Sequence, residues 1–169
     1  IDPITCATIG DSHCGFVTLL IDDKRRTVQK SDKWVVLHEE TEESLIRILL
    51  NLIRVGDVLS GWNIDFDLEY LKKRAKSFKI EVDLSGINVF DLLTAYRGLY
   101  RRKSYRLKDI VIDEKLTTES EPNVDYGAMW EKDKPGLVSR NKRHAEWVSQ
   151  IDSKLKITDY FWNLKELSG

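Results

Sequence analysis

Two runs rich in β-branched residues, Ile4–Ile9 and Gly15–Ile21, stand five residues apart, and this pairing constrains the fold most. Such runs joined by a short polar link (Asp11-Ser12-His13) specify a β-hairpin. A hairpin at one end of a chain fixes an antiparallel sheet edge, on which later elements must build. Trp34–Leu37 extends the strand pattern. The period then changes from two to 3.6. Thr41 reads as an N-cap with acids in the first turn, Leu45, Ile48, Leu49, Leu52 and Ile53 form an apolar helical stripe, and Gly56 ends it.

Alternation continues downstream. Val58–Gly61 reads as a short buried strand, about 67–76 as a helix, Ile87–Phe90 as a strand and Asp91–Tyr100 as a helix. Ser104 is placed to cap a helix over Tyr105–Val111. Residues 117–136, with Pro122, Gly127, Pro135 and Gly136, read as irregular, and a single long helix is expected over about 137–164. The pattern specifies an α/β fold with a mixed sheet flanked by helices. No linker divides it, so residues 1–169 are read as one domain.

Charge narrows the function classes. Charged residues make up 33% of the chain, yet the net charge is −1, so any nucleic-acid contact must come from a local patch. Cys6 and Cys14 lack metal-ligand or CxxC spacing and read as ordinary partly buried thiols. No apolar run approaches the ~18 residues of a membrane span, and no signal peptide is visible, so an intracellular protein with no membrane partner is expected. The chain opens on Ile1 rather than Met, which favours a fragment or processed form.

The strongest local motif is Gly61-Trp62-Asn63-Ile64-Asp65-Phe66-Asp67, which follows a strand and opens a helix. Its core, Asn63-x-x-Phe66-Asp67, resembles the second exonuclease motif of B-family, archaeal-type DNA polymerases. Val89-Phe90-Asp91-Leu92, Ser104-Tyr105-Arg106-Leu107 and the final stretch from Ile157 to Gly169 resemble further elements of that domain, in order. The resemblance implies a ribonuclease-H-like fold and 3′–5′ exonuclease ancestry. It implies that Asp67 descends from a metal ligand, that Asn63 lies near the substrate and that Phe66 shapes the site. Family catalysis uses two divalent cations held by four carboxylates, for which hard Mg²⁺ or Mn²⁺ is suited.

Against that pattern, much is missing. The first motif, an Asp-x-Glu on the usual first central strand, has no counterpart in the first 25 residues. The hairpin can close directly on residues 58–61, another polypeptide or preceding segment can supply the strand, or the strand is absent from this stretch of sequence. Aligning the third motif, Tyr-x-x-x-Asp, puts Arg140 at the Tyr and His144 at the Asp. A repeat through 141, 144, 148, 151, 155 and 158 places His144 on a core-facing stripe. The blander reading is a solvated or core-satisfied histidine. Asp152 lies about 12 Å along the helix from His144, too far to replace the lost ligand. Asp67 alone of the four carboxylates remains, and its blander reading is a helix acid stabilised by the dipole. An inactivated domain is therefore expected, with no cofactor, or Mg²⁺ or Mn²⁺ if activity persists.

Binding is a separate matter. Arg97, Arg101, Arg102, Lys103, Arg106 and Lys108 interleave with Tyr96, Tyr100 and Tyr105. Cations with aromatics suit single-stranded DNA, although a solvated helix pair with core tyrosines has the same signature. The family resemblance implies that this run and Arg140–His144 flank the primer cleft. Tyr160-Phe161-Trp162 offers a contact for a polymerase domain or subunit. Three readings follow: an inactivated structural or DNA-binding domain, an active exonuclease completed by a first motif from elsewhere, and a protein-interaction module.

Overall fold

The computed structural model describes residues 2–13, 15–22 and 29–168. The expected hairpin is present. Strands β1 (Cys6–Gly10) and β2 (Phe16–Ile21) pair antiparallel, with Gly10 opposite Phe16. A Cβ on Gly10 would come within 2.6 Å of the Phe16 ring, so this end of the hairpin favours glycine. Cys14 lies outside the described residues. Burial pushes the Cys6 thiol up to about 12, well above the reactive range.

A short strand missed in the sequence, β3 (Gln29–Ser31), forms a second hairpin with β4 (Trp34–Glu39). Three residues give too short a pattern to register as a period. The resulting sheet has the order β1-β2-β4-β3, with β2 and β4 parallel. Helix α1 (Glu42–Ile53) starts where expected, with the Thr41 hydroxyl accepting the Ser44 N–H at 3.1 Å.

A second sheet contains β5 (Val58–Gly61) and β6 (Asn88–Asp91), which pair parallel. The two strands are the ends of crossovers through α1, α2 (Ile64–Ser77) and α3 (Leu92–Leu99). The expectation of a buried strand at 58–61 needs correction: Val58 is 38% exposed. Exposed residues alternate with half-buried ones along β5, so one face of the strand meets solvent. The hairpin does not close directly on β5, because the two belong to different sheets. Both β1 and β5 nevertheless lie on one apolar cluster. Ile4, Ile9 and Leu59 pack against Ile46, Leu50, Ile53, Leu71 and Ala75 of α1 and α2.

The C-terminal half departs furthest from expectation. Helix α4 (Leu107–Asp113) starts two residues later than read, and Ser104 does not cap it; the Ser104 hydroxyl donates to Asp109 at 2.5 Å instead. The stretch read as irregular contains α5 (Tyr126–Lys132), capped by the Asp125 carboxylate. The single long helix is two, α6 (Lys134–Leu155) and α7 (Ile157–Ser168), broken at Lys156, which is left-handed at φ 55°. Asp152 holds the break by accepting the Thr158 N–H at 2.8 Å. The buried stripe of α6 runs through Leu137, Arg140, Trp147 and Ile151, and His144 lies on it, half-buried where its neighbours are buried. α6 caps β2 and β4 through Leu137 and Val138, while Trp147 and Ile151 join Leu92, Tyr96 and Ile110 of α3 and α4.

Candidate functional site

Strands β5 and β6 end side by side, with Gly61 opposite Asp91, and each hands over to a helix. In open α/β sheets, ligands bind beyond such strand ends. The turn after β5 is tight: a Cβ on Gly61 would meet Ile64 at 2.8 Å. Asn63 adopts a left-handed conformation at φ 64°, a strained choice that short polar side chains tolerate best. Its N–H donates to Asp91 Oδ1 at 3.0 Å. The same oxygen accepts the Leu93 N–H, and Oδ2 accepts the Thr94 hydroxyl at 3.1 Å. Asp91 thereby clasps the starts of α2 and α3 together.

Asp67 projects from the first turn of α2. Desolvation, followed by the charge of Asp91, pushes its carboxyl up to about 6. Phe66 stands 62% exposed beside it, with its ring 6.3 Å from that of Tyr70. Strained backbone, a perturbed acid and an exposed aromatic at strand ends are the marks of a functional site. The donor set is nevertheless thin for metal. Two adjacent dications need several carboxylates. Asp67 and Asp91 are two, and Asp91 is already committed as a cap. Among the described residues, no group of three or more His, Cys, Asp or Glu side chains is placed to hold a metal ion. The residues present do not fit a two-metal centre.

Arg140 and His144 meet elsewhere, on a buried acid that sequence reasoning missed. Glu121, 7% exposed, holds Arg140 Nη2 at 2.8 Å and His144 Nε2 at 2.6 Å, with Arg143 at 3.6 Å. His144 also stacks on Trp147, with centroids 5.3 Å apart. His144 is thus half-buried and paired to a carboxylate. Glu121 lay in the segment read as irregular, where a single acid carries no periodic signal.

The basic run divides. Arg102 is an internal tie, with Nε donating to the Tyr96 hydroxyl at 2.9 Å and Nη2 to Glu114 at 2.7 Å. Tyr105 is half-buried, its hydroxyl donating to the Tyr100 carbonyl and its ring lying under Arg97 at 4.9 Å. Arg101, Lys103 and Arg106 are exposed. Arg106 also lines a cavity of about 360 Å³ with Lys108, Asn123, Tyr126, Arg140 and His144. This cavity unites two basic runs that are over thirty residues apart.

Residues 19–91 match the family described as DNA polymerase family B, exonuclease domain. The match contains Asn63, Phe66, Asp67 and Asp91 and stops short of the cavity. A DNA polymerase of Methanocaldococcus jannaschii is 26% identical over 189 aligned residues, which cover 97% of this chain and 10% of the relative. The chain thus spans about a tenth of that protein's length.

Proposed function

We propose that this chain is an exonuclease-like domain of the DNA polymerase family B type, catalytically inactive on its own, that serves as a structural and single-stranded-DNA-binding module. One observation carries the reading: at the strand ends Asp67 has the charge of Asp91 acting on it, and Asp91 is used as a helix cap, while Arg140 and His144 are held by Glu121. Arg101, Lys103 and Arg106 supply phosphate contacts. Trp162, 41% exposed on α7, together with Tyr160, offers a contact for a neighbouring polymerase domain.

The test is incubation of the purified chain with an end-labelled single strand and Mg²⁺ or Mn²⁺. No shortening is expected. Degradation that Asp67→Ala abolishes would overturn the reading. Binding of the same strand should weaken steeply with salt, and Arg101→Glu with Lys103→Glu should weaken it about tenfold or more. Salt-insensitive or absent binding would leave a protein-interaction module.

The finer fold reading is a ribonuclease-H-like sheet whose first central strand comes from another segment or chain. It is supported by β1 and β5, each the terminal strand of its sheet, lying on one α1/α2 cluster. A strand between them would join both sheets and could bring a first motif near Asp67. Co-expression with a polymerase segment bearing an Asp-x-Glu strand should then restore exonuclease activity. Failure to form a complex would exclude that alternative.

A further inference from the structure

The charges of the cavity between α4, α5 and α6 do not balance. Its walls carry Arg106, Lys108 and Arg140 against one carboxylate, Glu121. That carboxylate is engaged through Oε2 by Arg140 and His144, while its buried Oε1 has no hydrogen-bond partner among the described residues and Arg143 stands 3.6 Å from it. Among the described residues, Lys108 Nζ is met by neutral acceptors: Asn123 Oδ1 at 2.6 Å and the Glu121 carbonyl at 3.4 Å. No described carboxylate forms an ion pair with Lys108 or Arg106. A half-buried ammonium without a counter-ion is costly, and an anion relieves that cost. Arg140 is 9% exposed and keeps its Nε–H buried without a described acceptor, a further donor on the same wall.

The rim has a second character. Tyr126 stands 50% exposed at the cavity, with the Arg140 guanidinium 5.7 Å from its ring. An exposed aromatic face held by a cation is a platform for a flat ligand. At about 360 Å³, the cavity falls within the range of small-ligand sites.

From these features we infer that the cavity binds a nucleotide unit, with the phosphate between Lys108 and Arg106 and the base against Tyr126. The inference deepens the DNA-binding reading above, and rests on it for the choice of a nucleotide. Arg106 is shared with the Arg101 and Lys103 surface, but Lys108 and Tyr126 are not, so the two can fail separately.

The test is titration of the full chain with thymidine 5′-monophosphate, thymidine and inorganic phosphate, followed by calorimetry and by the His144 imidazole NMR signals. The monophosphate should bind and shift His144, with thymidine at least tenfold weaker. Lys108→Gln and Arg106→Gln should each weaken the monophosphate about tenfold, the loss of a charge-assisted contact. Tyr126→Ala should weaken the monophosphate about fivefold and leave inorganic phosphate unchanged. Short thymidine oligomers with and without a 5′-phosphate distinguish the source: preference for the phosphorylated end assigns a strand terminus, and equal binding an internal phosphate. Arg106 is exposed, so its variant remains informative should Lys108→Gln unfold. No shift of His144 at millimolar monophosphate, equal affinity for thymidine, or full affinity in both charge variants would overturn the inference. If that happens while oligomers still bind through Arg101 and Lys103, only the cavity is refuted.

Discussion

Asp67 is exposed on the first turn of α2, so solvent screens much of the penalty that partial desolvation and the Asp91 charge place on its carboxylate. Its folded-state pKa is raised, so the native chain holds a proton more tightly than the unfolded chain does. Stability from this group is therefore present at low pH and lost as pH rises towards about 6. Asp67→Asn removes the charge at near-constant shape. It should raise the melting temperature by about 1–2 °C at pH 7.5 and leave it unchanged near pH 4. An acid stabilised chiefly by the helix dipole would give the reverse at pH 7.5. Thermal scans at the two pH values decide. At this scale, Asn63-x-x-Phe66-Asp67 was legible in the sequence because strand, turn and helix converge on it. The Asp91 clasp was not, since its partners are backbone N–H groups that leave no mark on residue identity.

Among elements, the break between α6 and α7 shows where sequence periodicity misleads. Positions 144, 148, 151, 155 and 158 keep their spacing through Lys156, so the text reads as one helix. Ile157 is fully buried, and Asp152 turns back to hold Thr158. Tertiary packing therefore sets the break, with a lysine in a conformation that suits glycine. Lys156→Gly should stabilise the chain by roughly 0.5 kcal/mol, as strain relief exceeds the added unfolded-state entropy. Urea midpoints check the sign; a destabilised variant would mean that Lys156 contributes more than its backbone. The hairpin and the Thr41 cap were legible because their signals are local. α5 was hidden by Gly127 within it and by Pro122 and Pro135 to either side.

For the whole molecule, the consequential property is that the core comprises three apolar clusters rather than one continuous sheet with two flanks. The α1/α2 cluster carries terminal strands of both sheets. Amides on the outer edges of β1 and β5 have no strand to protect them among the described residues. In native-state hydrogen exchange they should exchange at least tenfold faster than those of β2, which is paired on both sides. Slow exchange at both edges would mean that another segment already covers them. Fold class was legible from the alternation of periods, whereas the division into two sheets was not, because strand pairing depends on contacts between distant residues.

The clasp made by Asp91 has an evolutionary consequence. A carboxylate that ties two helices together is retained by selection for folding alone, whatever becomes of catalysis. Asp67 has no such second duty and its charge is a burden. In a lineage released from nuclease work, position 67 should drift first, towards amide or apolar residues, while position 91 stays acidic. An acid surviving at a strand end is then a record of architecture, and its persistence is no measure of activity.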